Sequence, residues 1–223
     1  MDTTAPTIRN RRWETFAPLT GIAAVVLFIA AFVVHDVIGD TPDGDAPALD
    51  FARYYQEEDG SIWGASILIS FAIVFFFWFL GTLRAALRAA EGGLGRLATT
   101  AHAGGIATAV LAVASIGTQV SAAILVSERD APIAPQTAIT YWFMGDGLFL
   151  GAFSGAAVLL GATGFVVLRH GALPRWFGWV TLVLALLLLI PWIGWAGFVF
   201  AFPLWIIVTS LLLWQATSRA ASV

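Results

Sequence analysis

The sequence predicts an all-α fold: a polytopic membrane helix bundle of six transmembrane helices, with both termini in the cytoplasm. Three observations predict it. The first is composition. The chain has 223 residues, 59% hydrophobic and only 11% charged, with a mean hydropathy of +0.87, whereas a soluble domain carries about 25% charged residues. The second is six separate apolar runs, each near the length of about 20 residues that a helix needs to cross a bilayer. The third is the placement of arginine, since nine of the 11 basic residues fall in alternate loops.

The runs are read in chain order. The first is Pro18 to Ile38, the second Ser61 to Leu83, and the third lies within Leu97 to Val126. The fourth is Ala138 to Leu168, the fifth Pro174 to Ile190, and the sixth Gly197 to Trp214. Only Pro191-Trp192-Ile193-Gly194-Trp195 separates the last two, and its Pro and Gly read as a tight helical hairpin. The first run follows an Arg-rich arm but is too long for a cleaved leader, so it reads as a signal anchor. Residues 1–17 are then a cytoplasmic arm, 18–216 the six-helix domain and 217–223 a cytoplasmic tail.

Orientation follows from the positive-inside rule. Arg9, Arg11, Arg12, Arg84, Arg88, Arg96, Arg169, Arg175 and Arg219 share one side, and only Arg53 and Arg129 fall on the other. The outside loop 39–60 is turn-rich at first. From Ala48, the residues Phe51, Tyr54 and Tyr55 recur at helical spacing, which predicts a short interfacial helix. Trp13, Trp63, Trp142, Trp176, Trp179, Trp192 and Trp195 sit near predicted helix ends, where indoles favour the headgroup level. These features read as a multi-pass membrane protein with both ends in the cytoplasm.

Several chemistries are excluded. There is no Cys and no Lys, so there can be no disulfide, thiolate ligand, thiol nucleophile, Schiff-base lysine or P-loop lysine. A net charge of −3 gives no basis for binding nucleic acid. His35, His102 and His170 lie at different predicted depths, which argues against paired haem ligands and against a zinc site. No metal and no organic cofactor is expected.

Asp146 is the most informative residue. It lies about eight residues into the fourth run, or about 12 Å below the outer surface at about 1.5 Å per residue. An acid at the centre of a span costs about 2.5–3.5 kcal/mol on insertion scales. It is either part of an ion or ligand pathway or a buried carboxyl that pins two helices. Ser115 and Gln119 share one face of the third run with Thr118 beside them, and a Gln119–Asp146 hydrogen bond is expected across the short third loop. This set reads first as interhelical glue, with a candidate polar pocket as the alternative. His35 and Asp36 end the first run close to the outer surface, where they read first as a pair that reaches water; the alternative is a pH-responsive outward gate that Ser66 and Ser70 of the second run could join. Gly147, Gly151 and Gly155 form overlapping small-residue steps that suit tight packing within the bundle, with homodimerisation as the alternative. Pro203 should kink the sixth helix.

Some stretches are familiar. Asp40-Thr-Pro-Asp with Tyr54-Tyr55, Leu83-Arg84-Ala-Ala-Leu-Arg88 with Glu91-Gly-Gly, and Gly171-Ala-Leu-Pro-Arg175-Trp-Phe-Gly-Trp179 followed by Phe202-Pro203-Leu-Trp205 resemble a family of small bacterial integral membrane proteins, about 220 residues long, of unknown function. The resemblance implies six helices and carries no active site.

Three functional classes follow. A non-enzymatic structural or accessory protein, binding lipid or a membrane-protein partner, ranks first because no catalytic set is visible. A small transporter or channel with an outward-facing polar pocket around Asp146 is second. A membrane-embedded lipid-modifying enzyme is third. A cavity reaching Asp146 would favour the second class, and a dry Asp146 bonded to Gln119 the first. His35, Asp36 and Asp146 gathered at one site would revive the third.

Overall fold

The structure, a computed structural model, describes residues 16–129 and 132–221. Arg9, Arg11, Arg12 and Trp13 of the arm lie outside the described residues. Seven helices follow in order: α1 (Ala17–Ile38), α2 (Ala48–Glu57), α3 (Asp59–Glu91), α4 (Arg96–Arg129), α5 (Pro135–His170), α6 (Arg175–Leu188) and α7 (Pro191–Arg219). No strand occurs among the described residues. Helices α1, α3, α4, α5 and α7 are long and apolar enough to cross a membrane.

Local chemistry sets the breaks. α3 ends at Gly92, and Gly92, Gly93 and Gly95 have φ of 68°, 52° and 61°, a region that favours glycine. Beyond them, the Glu91 carboxylate accepts hydrogen bonds from the Leu97 and Ala98 N–H groups at 3.0 and 2.9 Å. A side chain from the end of one helix thus satisfies two of the four free donors at the start of the next. α5 opens on Pro135 and closes on a left-handed Gly171.

Two boundaries differ from the expected ones. The fifth apolar run forms a helix of only 14 residues, about 21 Å at 1.5 Å per residue against about 30 Å of hydrocarbon. The hairpin apex is Leu189–Ile190, and Pro191–Ala196 is already helical. The reason is Pro191. It restricts the residue before it to extended backbone, and Ile190 has φ −99° and ψ 107°. Pro191 itself has no N–H to lose at a helix start. The Pro203 irregularity shows as a widened, π-helical turn at Gly197–Ala201, which ends two residues before Pro203, a residue with no N–H to offer the preceding turn. A second widened turn, Val33–Ile38, ends α1.

The apolar side chains pack into two cores. The larger joins α1, α3, α4, α5, α6 and α7 through Val25, Phe79, Ala109, Leu159, Phe177 and Trp205. The smaller lies beneath α2 and joins Phe51, Tyr54 and Tyr55 to Ile62, Ala122, Ala138 and Trp142. The apolar face of α2 therefore packs on protein, not on headgroups as an interfacial helix would: Phe51 and Tyr55 are 0% exposed. Residue order places Phe28–Asp36 of α1, Ala65–Ile69 of α3, Ala112–Gln119 of α4 and Trp142–Phe149 of α5 between the two cores.

Candidate ligand-binding cavity

The segments between the cores border a partly open cavity of ≈ 170 Å³. Its polar lining is His35 and Asp36 from α1, Ser115 and Gln119 from α4, and Asp146 from α5. Phe28, Phe32, Trp142, Phe149 and Trp195 supply most of the rest. α1 packs along α3 but stands off from α5, and this gap is the cavity.

Each polar group is placed by a definite local cause. The widened turn at the end of α1 carries both His35 and Asp36. His35 Nδ1 lies 3.5 Å from Asp36 Oδ2, and His35 Nε2 is buried with no hydrogen-bond partner in the chain. The His35 ring lies 6.1 Å from the Tyr54 ring and 6.2 Å from that of Trp142. On α4, Gln119 is 6% exposed. Its side-chain oxygen accepts a hydrogen bond from the Tyr55 hydroxyl of α2. Its amide nitrogen has no partner, although Gln119 lines the cavity. Ser115 donates its hydroxyl to the Gly145 carbonyl at 2.8 Å, which ties α4 to α5 one residue before Asp146. Gly145 makes that approach possible, since a methyl group there would sit 2.7 Å from Thr118 Oγ1 and 3.0 Å from Gln119 Nε2.

The sequence set is therefore divided. His35, Asp36, Ser115, Gln119 and Asp146 meet at one cavity. Thr118 is buried beside it and donates to the Ser115 carbonyl at 2.7 Å. Ser66 and Ser70 do not join: their hydroxyls donate to the carbonyls of Trp63 and Ser66 at 2.8 Å each, while Ala65 and Ile69 of the same helix line the cavity. The expected Gln119–Asp146 bond is replaced by Tyr55–Gln119. Tyr55 lies 64 residues earlier in the chain than Gln119, so the helical pattern around either residue carries no sign of the pairing.

The glycine stripe divides as well. A methyl group on Gly155 would meet Thr108 N at 2.6 Å and Gly104 O at 2.9 Å, so α4 and α5 touch backbone to backbone there. Gly151 faces Leu111, and Gly147 has no atom within 4 Å of the place a methyl group would take.

Three side chains were missed as site residues. Trp142 sits at 9% exposure rather than in a headgroup belt, 5.2 Å from the Phe51 ring and 5.6 Å from that of Tyr54. Tyr54 and Tyr55 were visible as helical spacing, but not as a roof. Burial pushes both phenols well above the ordinary tyrosine range, so each stays a protonated donor.

Chemically, the cavity offers two carboxylates, one imidazole and one amide donor amid aromatic rings. Among the described residues no group of three His, Asp or Glu side chains could hold a metal ion. No known protein family, no curated protein and no solved structure matches the chain.

Proposed function

We propose that the chain is a six-span bundle with both termini in the cytoplasm, of the bacterial inner membrane, and that it binds a small organic cation in the cavity at Asp146, as a carrier or receptor does. One observation carries this reading. Asp36, His35, Gln119 and Asp146 come from three helices to one cavity, and the hydrogen bonds that would close it are made elsewhere. Gln119 is held by Tyr55 and Ser115 by Gly145, which leaves Asp146 facing open space. Intramembrane acids that line cavities mark ligand and ion pathways. Carboxylates supply the counter-charge, and aromatic rings attract a quaternary ammonium by their quadrupole.

A purely structural role calls for a dry, bonded Asp146, and the cavity argues against it. The clustering of His35, Asp36 and Asp146 keeps a lipid-modifying enzyme as the second reading. It ranks lower because the hydroxyls of Ser66, Ser70 and Ser115 are all spent on backbone carbonyls. The sixth span rests on α6 with its flanks. Arg169 precedes it, Arg175 opens it, Trp192 and Trp195 follow it, and Arg219 returns to the arginine-rich side.

The test is binding of radiolabelled tetramethylammonium to the protein in lipid nanodiscs. Saturable binding is expected, with affinity at least about tenfold lower in Asp146→Asn. No saturable binding, or unchanged affinity in the variant, would overturn the reading. For topology, the absence of native cysteine allows single-cysteine labelling: Asp45→Cys should react from outside and Gly93→Cys only from inside. The reverse pattern would invert the bundle.

A further inference from the structure

We propose that the cation bound at Asp146 carries a short apolar group, and that this group enters a second cavity directly beneath the first. This rests on the reading of the upper cavity as a cation site. The lower cavity, ≈ 70 Å³, lies among Val25, Phe76, Ala109, Phe198, Phe202 and Ile206. Phe28, Ile69 and Ala112 line both cavities, so the two adjoin at these three side chains. The upper one is charged. The lower one is almost wholly apolar, and its Thr108 donates its hydroxyl to the Gly104 carbonyl at 2.9 Å. A dry apolar cavity has little to offer water and takes hydrocarbon instead.

The two widened turns serve these two spaces. Val33–Ile38 carries His35 and Asp36 to the upper cavity, and Gly197–Ala201 carries Phe198 to the lower. Such turns recur at functional sites. Size then limits the ligand. A dry cavity of about 150 Å³ holds benzene, so the lower cavity suits a short alkyl branch and not a long acyl chain. The ligand class is a short-chain ammonium amphiphile, with its charge at Asp36 and Asp146 and its carbon tail past Ala112.

A homologous series tests this in nanodiscs: tetramethylammonium, then ethyl-, propyl-, butyl- and octyltrimethylammonium. Affinity is expected to rise about three- to fourfold per methylene up to the butyl member, then to level off. Ala109→Leu, which fills the lower cavity, should flatten the series; if that variant does not fold, Ala24→Val removes less of the same space. A flat series in the unaltered protein, with tetramethylammonium binding still dependent on Asp146, would overturn the tail site and leave the cation site standing. A rise that continues undiminished to octyl would overturn the size limit and show partition into the bilayer. Loss of Asp146 dependence throughout would remove the cation site itself.

Discussion

The end of the bundle around Gly155 and the end beneath α2 leave their polar groups in different states. Around Gly155, glycine brings helices into contact. Gly155 and Gly104 let α4 and α5 touch through backbone. Trp205 donates its indole N–H to Thr181 at 2.9 Å, and Trp205 stacks with Phe177 and Phe202 at 6.2 and 5.9 Å. Glu91 is occupied by the start of α4. Beneath α2, Gly145 also brings α4 and α5 together, but α1 stands off from α5, and Asp146 and Gln119 line a cavity. A polar residue within a span therefore does not by itself mark a site. What matters is whether the neighbouring helix approaches closely enough to use it up.

That contrast can be broken or sharpened by substitution. The largest effect is expected from Gly155→Leu, whose side chain must displace the backbone of α4. It should cost about 3 kcal/mol by overpacking, while Gly147→Leu should stay within about 0.5 kcal/mol. Unfolding in denaturant reads both, and equal costs would show that the stripe is uniform after all. Next is Tyr55→Phe, which leaves the buried Gln119 oxygen unsatisfied at about 1–3 kcal/mol. It should also raise hydrogen exchange across α2; an unchanged α2 would mean that the roof is held by its rings alone.

Glu91→Ala should lower the melting temperature by a smaller amount through the lost helix cap, with Gln partly restoring it. No change would assign the cap to water. The smallest effect is alkaline. Tyr54 is buried, its hydroxyl has no partner at hydrogen-bond geometry, and burial raises its pKa above the ordinary 10.0. Its contribution to stability is therefore present below pH 10.0 and falls as pH rises above that value, because the unfolded chain loses its proton first. Tyr54→Phe should flatten this decline in a melt-against-pH series while changing little at neutral pH. An unchanged slope would place the alkaline sensitivity elsewhere.

Legibility followed the range of the interactions. Helix positions were readable because apolar run length and glycine breaks act within a few residues, as at Gly92 and Gly171. α2 was readable from Phe51, Tyr54 and Tyr55. Its resting place was not, because an amphipathic face fits a headgroup layer or a protein surface equally well. Asp146, Gln119 and Ser115 stood out as polar groups in apolar runs. The inclusion of His35 and Asp36, and the exclusion of Ser66 and Ser70, depended on which face of α1 and α3 turns inward. At helix ends a widened turn shifts that face, and no local pattern announces it.

The sequence alone determined that this is an all-helical chain with an acid in an apolar helix, and it removed thiol and lysine chemistry outright. These conclusions rest on composition and on periodicity, which need no knowledge of neighbours. Tertiary structure decided the rest: that Gln119 belongs to Tyr55, that the fifth apolar run is a 14-residue helix, and that Asp146 faces a cavity shared with His35 and Asp36. The physical reason is that a hydrogen bond or a void is a property of two helices and the distance between them. A single helix records which groups it can offer, and only the packing shows which of them remain unspent.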